Sequence, residues 1–113
     1  MQQISAFAKK LDEIRPRFLA QLLERLDRFE VLRDRLETPA RLDAEVEELI
    51  RGCHRITGLA GNLGFDDLGE LARRVETVLM EKAEKGAVAG PLSADFMRQF
   101  DDLLGEMAIL VAA

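Results

Sequence analysis

Seven residues, Leu42, Val46, Leu49, Cys53, Ile56, Ala60 and Leu63, recur at steps of 4, 3, 4, 3, 4 and 3. That alternation fits the 3.6-residue turn of an α-helix and no strand period. It lays one unbroken apolar stripe along a helix, and such a stripe has to face a core. Gly64 stands where the stripe stops and can close the helix, and Asp66 or Asp67 can cap the next one.

The rest of the chain repeats the pattern. Leu68, Leu71, Val75, Val78 and Leu79 mark a helix that fades near Lys85–Gly86. After a loop over Gly86 to Leu92, Ser93 can cap a last helix carrying Phe96, Phe100, Leu103, Met107 and Leu110. Upstream, Phe18, Leu22, Leu26, Phe29 and Leu36 form another stripe, with Thr38 and Pro39 placed to cap and start the helix after it. Ile4, Phe7, Leu11 and Ile14 predict a short N-terminal helix, which Pro16 interrupts. Whether these first two helices are separate or one kinked rod stays open. No stretch alternates with period two, so no strand is expected. The predicted fold is all-α: an antiparallel up-down-up-down four-helix bundle with an additional short N-terminal helix, over 1–113 as a single domain, its motif-bearing hairpin at about 39–85.

Composition removes several function classes. At 113 residues the chain suits one domain and leaves no room for a complete ATP-binding kinase. A net charge of −5 argues against nucleic acid, and with no Trp or Tyr a stacking platform is poorly supplied. No apolar run approaches the roughly 20 residues that span a bilayer, and no secretory signal pattern opens the sequence. A cytoplasmic protein is expected, with no membrane or nucleic-acid partner and acting as a monomer. The lone Cys53 excludes an internal disulfide and reads as a small core residue.

His54 is the only histidine. It lies roughly 125° from the centre of the stripe and so faces solvent. Alone it would be an incidental surface residue; its neighbours argue otherwise. Gly58 and Gly61, at i+4 and i+7, share its stripe. Glycine inside a helix costs about 1 kcal/mol relative to alanine, so two of them on an exposed face need a reason. Poor optimisation or a packed neighbouring helix is one; clearance for another backbone to approach the imidazole is the other. Arg51 and Arg55 flank the histidine and suit phosphate oxygens, although arginines on a helix edge are commonly only solvated. Ile50, at i−4, either offers a partner an apolar contact or borders the core. An exposed imidazole ordinarily titrates near pH ~6.5, so it is largely neutral and nucleophilic at pH 7. Phosphoryl transfer needs in-line positioning and charge neutralisation rather than a deep cavity.

The run His54-Arg55-Ile56-Thr57-Gly58-Leu59-Ala60-Gly61-Asn62-Leu63-Gly64-Phe65 resembles the signature of the histidine-containing phosphotransfer (HPt) family: His, any residue, Leu, Lys, Gly, any residue, Ala, then Gly shortly after. Leu68, Leu71, Ala72 and Glu76 continue the likeness as the leucine-rich helix that follows, and the strong match covers Gly52 to Leu79. The resemblance implies a phosphohistidine carrier in two-component signalling rather than a stand-alone enzyme. His54 would accept a phosphoryl group from a receiver-domain aspartyl phosphate and pass it to another receiver. Partners would be response-regulator receivers and a hybrid histidine kinase. The chain would need no cofactor of its own, since the receiver supplies magnesium. Gly58 would clear the approach. One departure stands out: the family's lysine is Thr57 here, whose hydroxyl could donate to a phosphoryl oxygen or bond the Cys53 carbonyl one turn back. Arg55 or Arg51 could supply the missing charge.

Other readings fit less well. Cys53 and His54 diverge on the helix and have no further Cys or His to complete a zinc set, so no metal site is expected. Hydrolase chemistry lacks a triad. The closest rival is an HPt-like helical adaptor that docks receivers or kinases without being phosphorylated.

Overall fold

The computed structural model describes the chain from Gln2 to Ala113, with side chains from Ala6 onward. Ile4, part of the N-terminal pattern, lies outside the described side chains. Four α-helices account for most of the chain: α1 (Gln2–Leu36), α2 (Asp43–Ala60), α3 (Asp66–Glu84) and α4 (Ala94–Ala112), with a 3₁₀ turn at Gly61–Leu63. Each helix packs on two others, in the ring α1–α2–α3–α4. The chain reverses at each connection. Arg35 at the end of α1 meets Glu45 at the start of α2, while Arg15 in mid-α1 reaches the Leu63 carbonyl at the far end. Leu92, just before α4, donates to Leu36 where α1 stops.

The apolar stripes close on one another. Every residue of the Leu42–Leu63 stripe is buried, as are Phe18, Leu22, Leu26, Phe29, Leu68, Val75, Leu79, Phe96, Phe100 and Leu103. Such burial contributes about 25 cal/mol per Å² of apolar surface and is what holds helices of this length in place. None of the described helices is long and apolar enough to cross a membrane.

The expected separate N-terminal helix is not present: α1 runs through Pro16 without a break. Proline cannot donate to the carbonyl of residue 12, a loss that usually stops a helix. Here the apolar phase decides. Leu11, Phe18 and Leu22 stay on one face across Pro16, with Leu11 packed against the core and Phe18 inside it. Packing on both sides outweighs one lost hydrogen bond.

The start of α2 also differs from expectation. Thr38 does not cap it; its hydroxyl donates back to the Arg35 carbonyl at 2.6 Å, finishing α1. Residues 39–42 instead pair with the α3–α4 loop. Leu42 N–H donates to Val88 O, Gly90 N–H to Ala40 O, and Val88 N–H to the Asp43 carboxylate. The helix begins only after this clasp. At the other end of α2, Phe65 N–H bonds Ala60 O and Gly64 N–H bonds Gly61 O, with Gly64 at φ +86°. This is a Schellman close, and it needs the left-handed conformation that glycine supplies. Phe65, not Asp66 or Asp67, precedes α3; the two aspartates sit in its first turn, where the helix dipole favours them. Ser93 accepts from Phe96 N–H and caps α4 as expected.

Gly52 is a contact point of α1 with α2. A Cβ there would lie 2.7 Å from the buried Phe29 ring and 3.2 Å from Arg25 Nη1. Gly52→Val should therefore overpack the core and destabilise the fold by about 1–3 kcal/mol, despite the loss of a helix-disfavouring glycine. The check is urea unfolding: the midpoint should fall with the slope unchanged.

Candidate functional site

Burial of the α2 stripe turns the opposite face of the helix outward, and His54 stands on it with its side chain 79% exposed. The ring is not loose. Its Nδ1 lies 2.9 Å from Oε2 of Glu76, which reaches across from α3. Glu76 is the one buried charged residue among the described residues. Carboxylates are seldom buried unless paired, and the imidazole is its hydrogen-bond partner. With the shared proton on Nδ1, Glu76 accepts, the ring orientation is set, and Nε2 keeps its lone pair facing away from α3.

Around the imidazole the glycine stripe is bare. A Cβ built at Gly58 or at Gly61 would meet nothing within 4 Å. No neighbouring helix packs there, so packing does not account for either glycine. Ile50 is half-buried against the core and at the same time borders the face one turn from His54.

The polar candidates separate. Arg51 is tied to Glu47 at 2.9 Å on its own helix. Thr57 Oγ1 donates to the Cys53 carbonyl at 2.9 Å, so its proton is used inside the helix. Arg55 is exposed and lines a groove of about 440 Å³ between α1 and α2, with His54 at its edge. Phe18, Leu22, Ile56 and Leu59 contribute its apolar surface, and Arg25 enters it from α1. Burial, and then the like charge of Arg55, hold the Arg25 guanidinium below its ordinary value.

Cys53 is fully buried beside the site. Burial first, then the Glu76 carboxylate, push its thiol up to about 12. It stays protonated at neutral pH and supplies no nucleophile.

An exposed imidazole oriented through Nδ1, on a bundle helix cleared by two glycines, agrees with the comparison by family. The family model of the Hpt domain matches residues 13–109. This chain belongs to the Hpt domain family. Hpt domains act in phosphotransfer within phosphorelays and interact with receiver domains, so the family places this helical bundle in that class of signalling protein. Comparison with curated proteins and with solved structures finds no match.

Two residues beside His54, Glu76 and Arg25, belong to the candidate site without being singled out by the sequence. Glu76 was grouped only with the helix following the motif, although a signal was present: it continues the Leu68–Ala72 spacing of four and precedes Leu79 by three, so a carboxylate occupies a core-facing position. Arg25 gave none, because it is 29 positions from His54 and only the packing of α1 on α2 brings it near.

Glu76→Ala should release the imidazole and remove the charge that balances it. We expect phosphotransfer at saturating receiver to slow on the order of 10²-fold, the scale for one preorganised electrostatic contact. Glu76→Gln, which can still accept from Nδ1, should fall between. Nitrogen chemical shifts of the ring report the tautomer directly; unchanged shifts in the alanine variant would contradict the role of Glu76.

Proposed function

We propose that this chain carries a phosphoryl group on Nε2 of His54, accepting it from the aspartyl phosphate of one receiver domain and passing it to another. The observation that carries this reading is the His54–Glu76 contact: an exposed ring, buried support behind it, and one nitrogen left free. The Nε2 lone pair attacks phosphorus, the Nε2–P bond forms as the acyl-phosphate O–P bond breaks, and the donor aspartate leaves as a carboxylate. The ring becomes a cation that keeps its proton on Nδ1 and donates it as a hydrogen bond to the Glu76 carboxylate, and the reverse sequence of bonds hands the group on. The receiver supplies the aspartate and the magnesium ion; this chain supplies the imidazole and requires no cofactor of its own. Ile50, Gly58 and Gly61 form the docking face, where the receiver backbone passes over the bare helix. Among the flanking groups, Arg55 is the cation best placed to act on the phosphoryl oxygens, since Arg51 is ion-paired and the Thr57 hydroxyl donates to the Cys53 carbonyl.

His54→Gln tests the site itself. Substitution at an exposed position should change stability by no more than about 0.5 kcal/mol, while acid-labile label from a phosphorylated receiver disappears. Label retained on the variant would overturn the assignment.

Gly58→Leu tests the approach. The new side chain meets nothing in the chain, and leucine favours a helix over glycine by several tenths of a kcal/mol, so the melting temperature should hold or rise. A receiver backbone would meet that side chain before its aspartate came within the roughly 3–3.5 Å that reaction requires, so transfer should fall by about 10²-fold or more. Transfer at the wild-type rate would show that receivers do not cross this face.

A further inference from the structure

The groove beside His54 holds two guanidinium groups from different helices, Arg25 of α1 and Arg55 of α2. Both also border a neighbouring depression that Glu24 and Glu48 line as well, with Glu24 exposed and ion-paired to neither arginine. Among the described residues neither is ion-paired. The nearby Glu48 is already held by Arg28 through two hydrogen bonds of 2.7 and 2.9 Å, and Glu47 is held by Arg51. Arg25 is half-buried against Phe29 and Gly52, so its charge is partly removed from water without a carboxylate in return. Two like charges gathered at one groove are unfavourable unless something anionic joins them. The same groove has an imidazole at its edge whose Nδ1 is drawn to α3, which turns Nε2 away from α3.

We propose that Arg25 and Arg55 together bind the oxygens of the phosphoryl group as it transfers to and resides on His54, making Arg25 a catalytic residue supplied by α1. This rests on the proposed role of His54. Guanidinium forks match phosphoryl oxygens in geometry, and a half-buried one acts through a lower local dielectric than a solvated lysine would. Two cations placed before the reaction account for transfer by a chain whose motif has a threonine, with its proton already used, where a cation would otherwise stand. The like-charge repulsion, which adds to burial in keeping Arg25 below its ordinary guanidinium value, is relieved when the anion arrives.

The test uses phosphoramidate, a small donor that needs no receiver. Its P–N bond breaks, with loss of ammonia, as the Nε2–P bond forms. Phosphorus NMR then follows formation, chemical shift and decay of the phosphohistidine in the intact chain. Arg25→Met should slow formation by about 10-fold or more and move the phosphorus shift, with the melting temperature held or raised because a repelling charge has gone. Arg25→Lys should recover part of the rate. Wild-type rate and shift in Arg25→Met would overturn the proposal, as would equal slowing in the Met and Lys variants accompanied by a lost melting temperature, which would mark a packing role. Failure of the underlying reading looks different: a wild-type chain that takes no label at His54 from phosphoramidate or from a phosphorylated receiver removes the carrier function, and the Arg25 role with it.

Discussion

For the core to close, the α2 side chains at Leu42, Val46, Leu49, Cys53, Ile56 and Ala60 must all be buried, and that requirement fixes where every other residue of the helix points. His54 faces outward because Cys53 faces inward. Gly58 and Gly61 face outward because Ile56 and Ala60 do not. A one-residue change of phase would bury the imidazole and expose the core, so the stability of the bundle and the presentation of the ring are one constraint. The position of α3 follows from the same contact, and with it the placing of Glu76 against Nδ1.

Glycine serves three unrelated purposes within 13 residues. Gly52 admits the Phe29 ring, Gly58 and Gly61 leave open space, and Gly64 takes a left-handed turn. A helix-propensity scale counts all four as costs. Only the neighbours distinguish them: side-chain atoms under 3 Å in the first case, nothing within 4 Å in the second, a positive φ in the third.

Features set by local periodicity were legible in the sequence. The four long helices, the buried stripe of α2, the cap at Ser93 and the close at Gly64 follow from spacing and from residues adjacent in the chain. The outward direction of His54 did too. What was misread depended on a distant segment. Pro16 suggested a break because its local cost is large, and the packing of Leu11 and Phe18 on the rest of the bundle overrode it. Thr38 and Pro39 suggested a helix start, but Val88 and Gly90 claim the backbone around residues 40–42. The candidate site divides in the same way. His54 and its flanking glycines are local to one helix, whereas Glu76 and Arg25 arrive from its two neighbours: the spacing of α3 marks Glu76 as core-facing but not as the partner of His54, and Arg25 becomes visible only once α1 is packed on α2.

The contact between His54 and Glu76 exists in the free chain. An exposed ring without it would sample several rotamers and both neutral tautomers, and each encounter with a partner would have to select one. Here that ordering is completed during folding, supported by the packed elements that hold Glu76 in place. Under the proposed function, every receiver meets the same nucleophile in the same pose, whatever its own sequence. Differences in transfer rate between receivers would then originate in how each docks over the glycine stripe, so that one carrier can serve several receivers while discrimination among them is written on the receivers' side of the encounter.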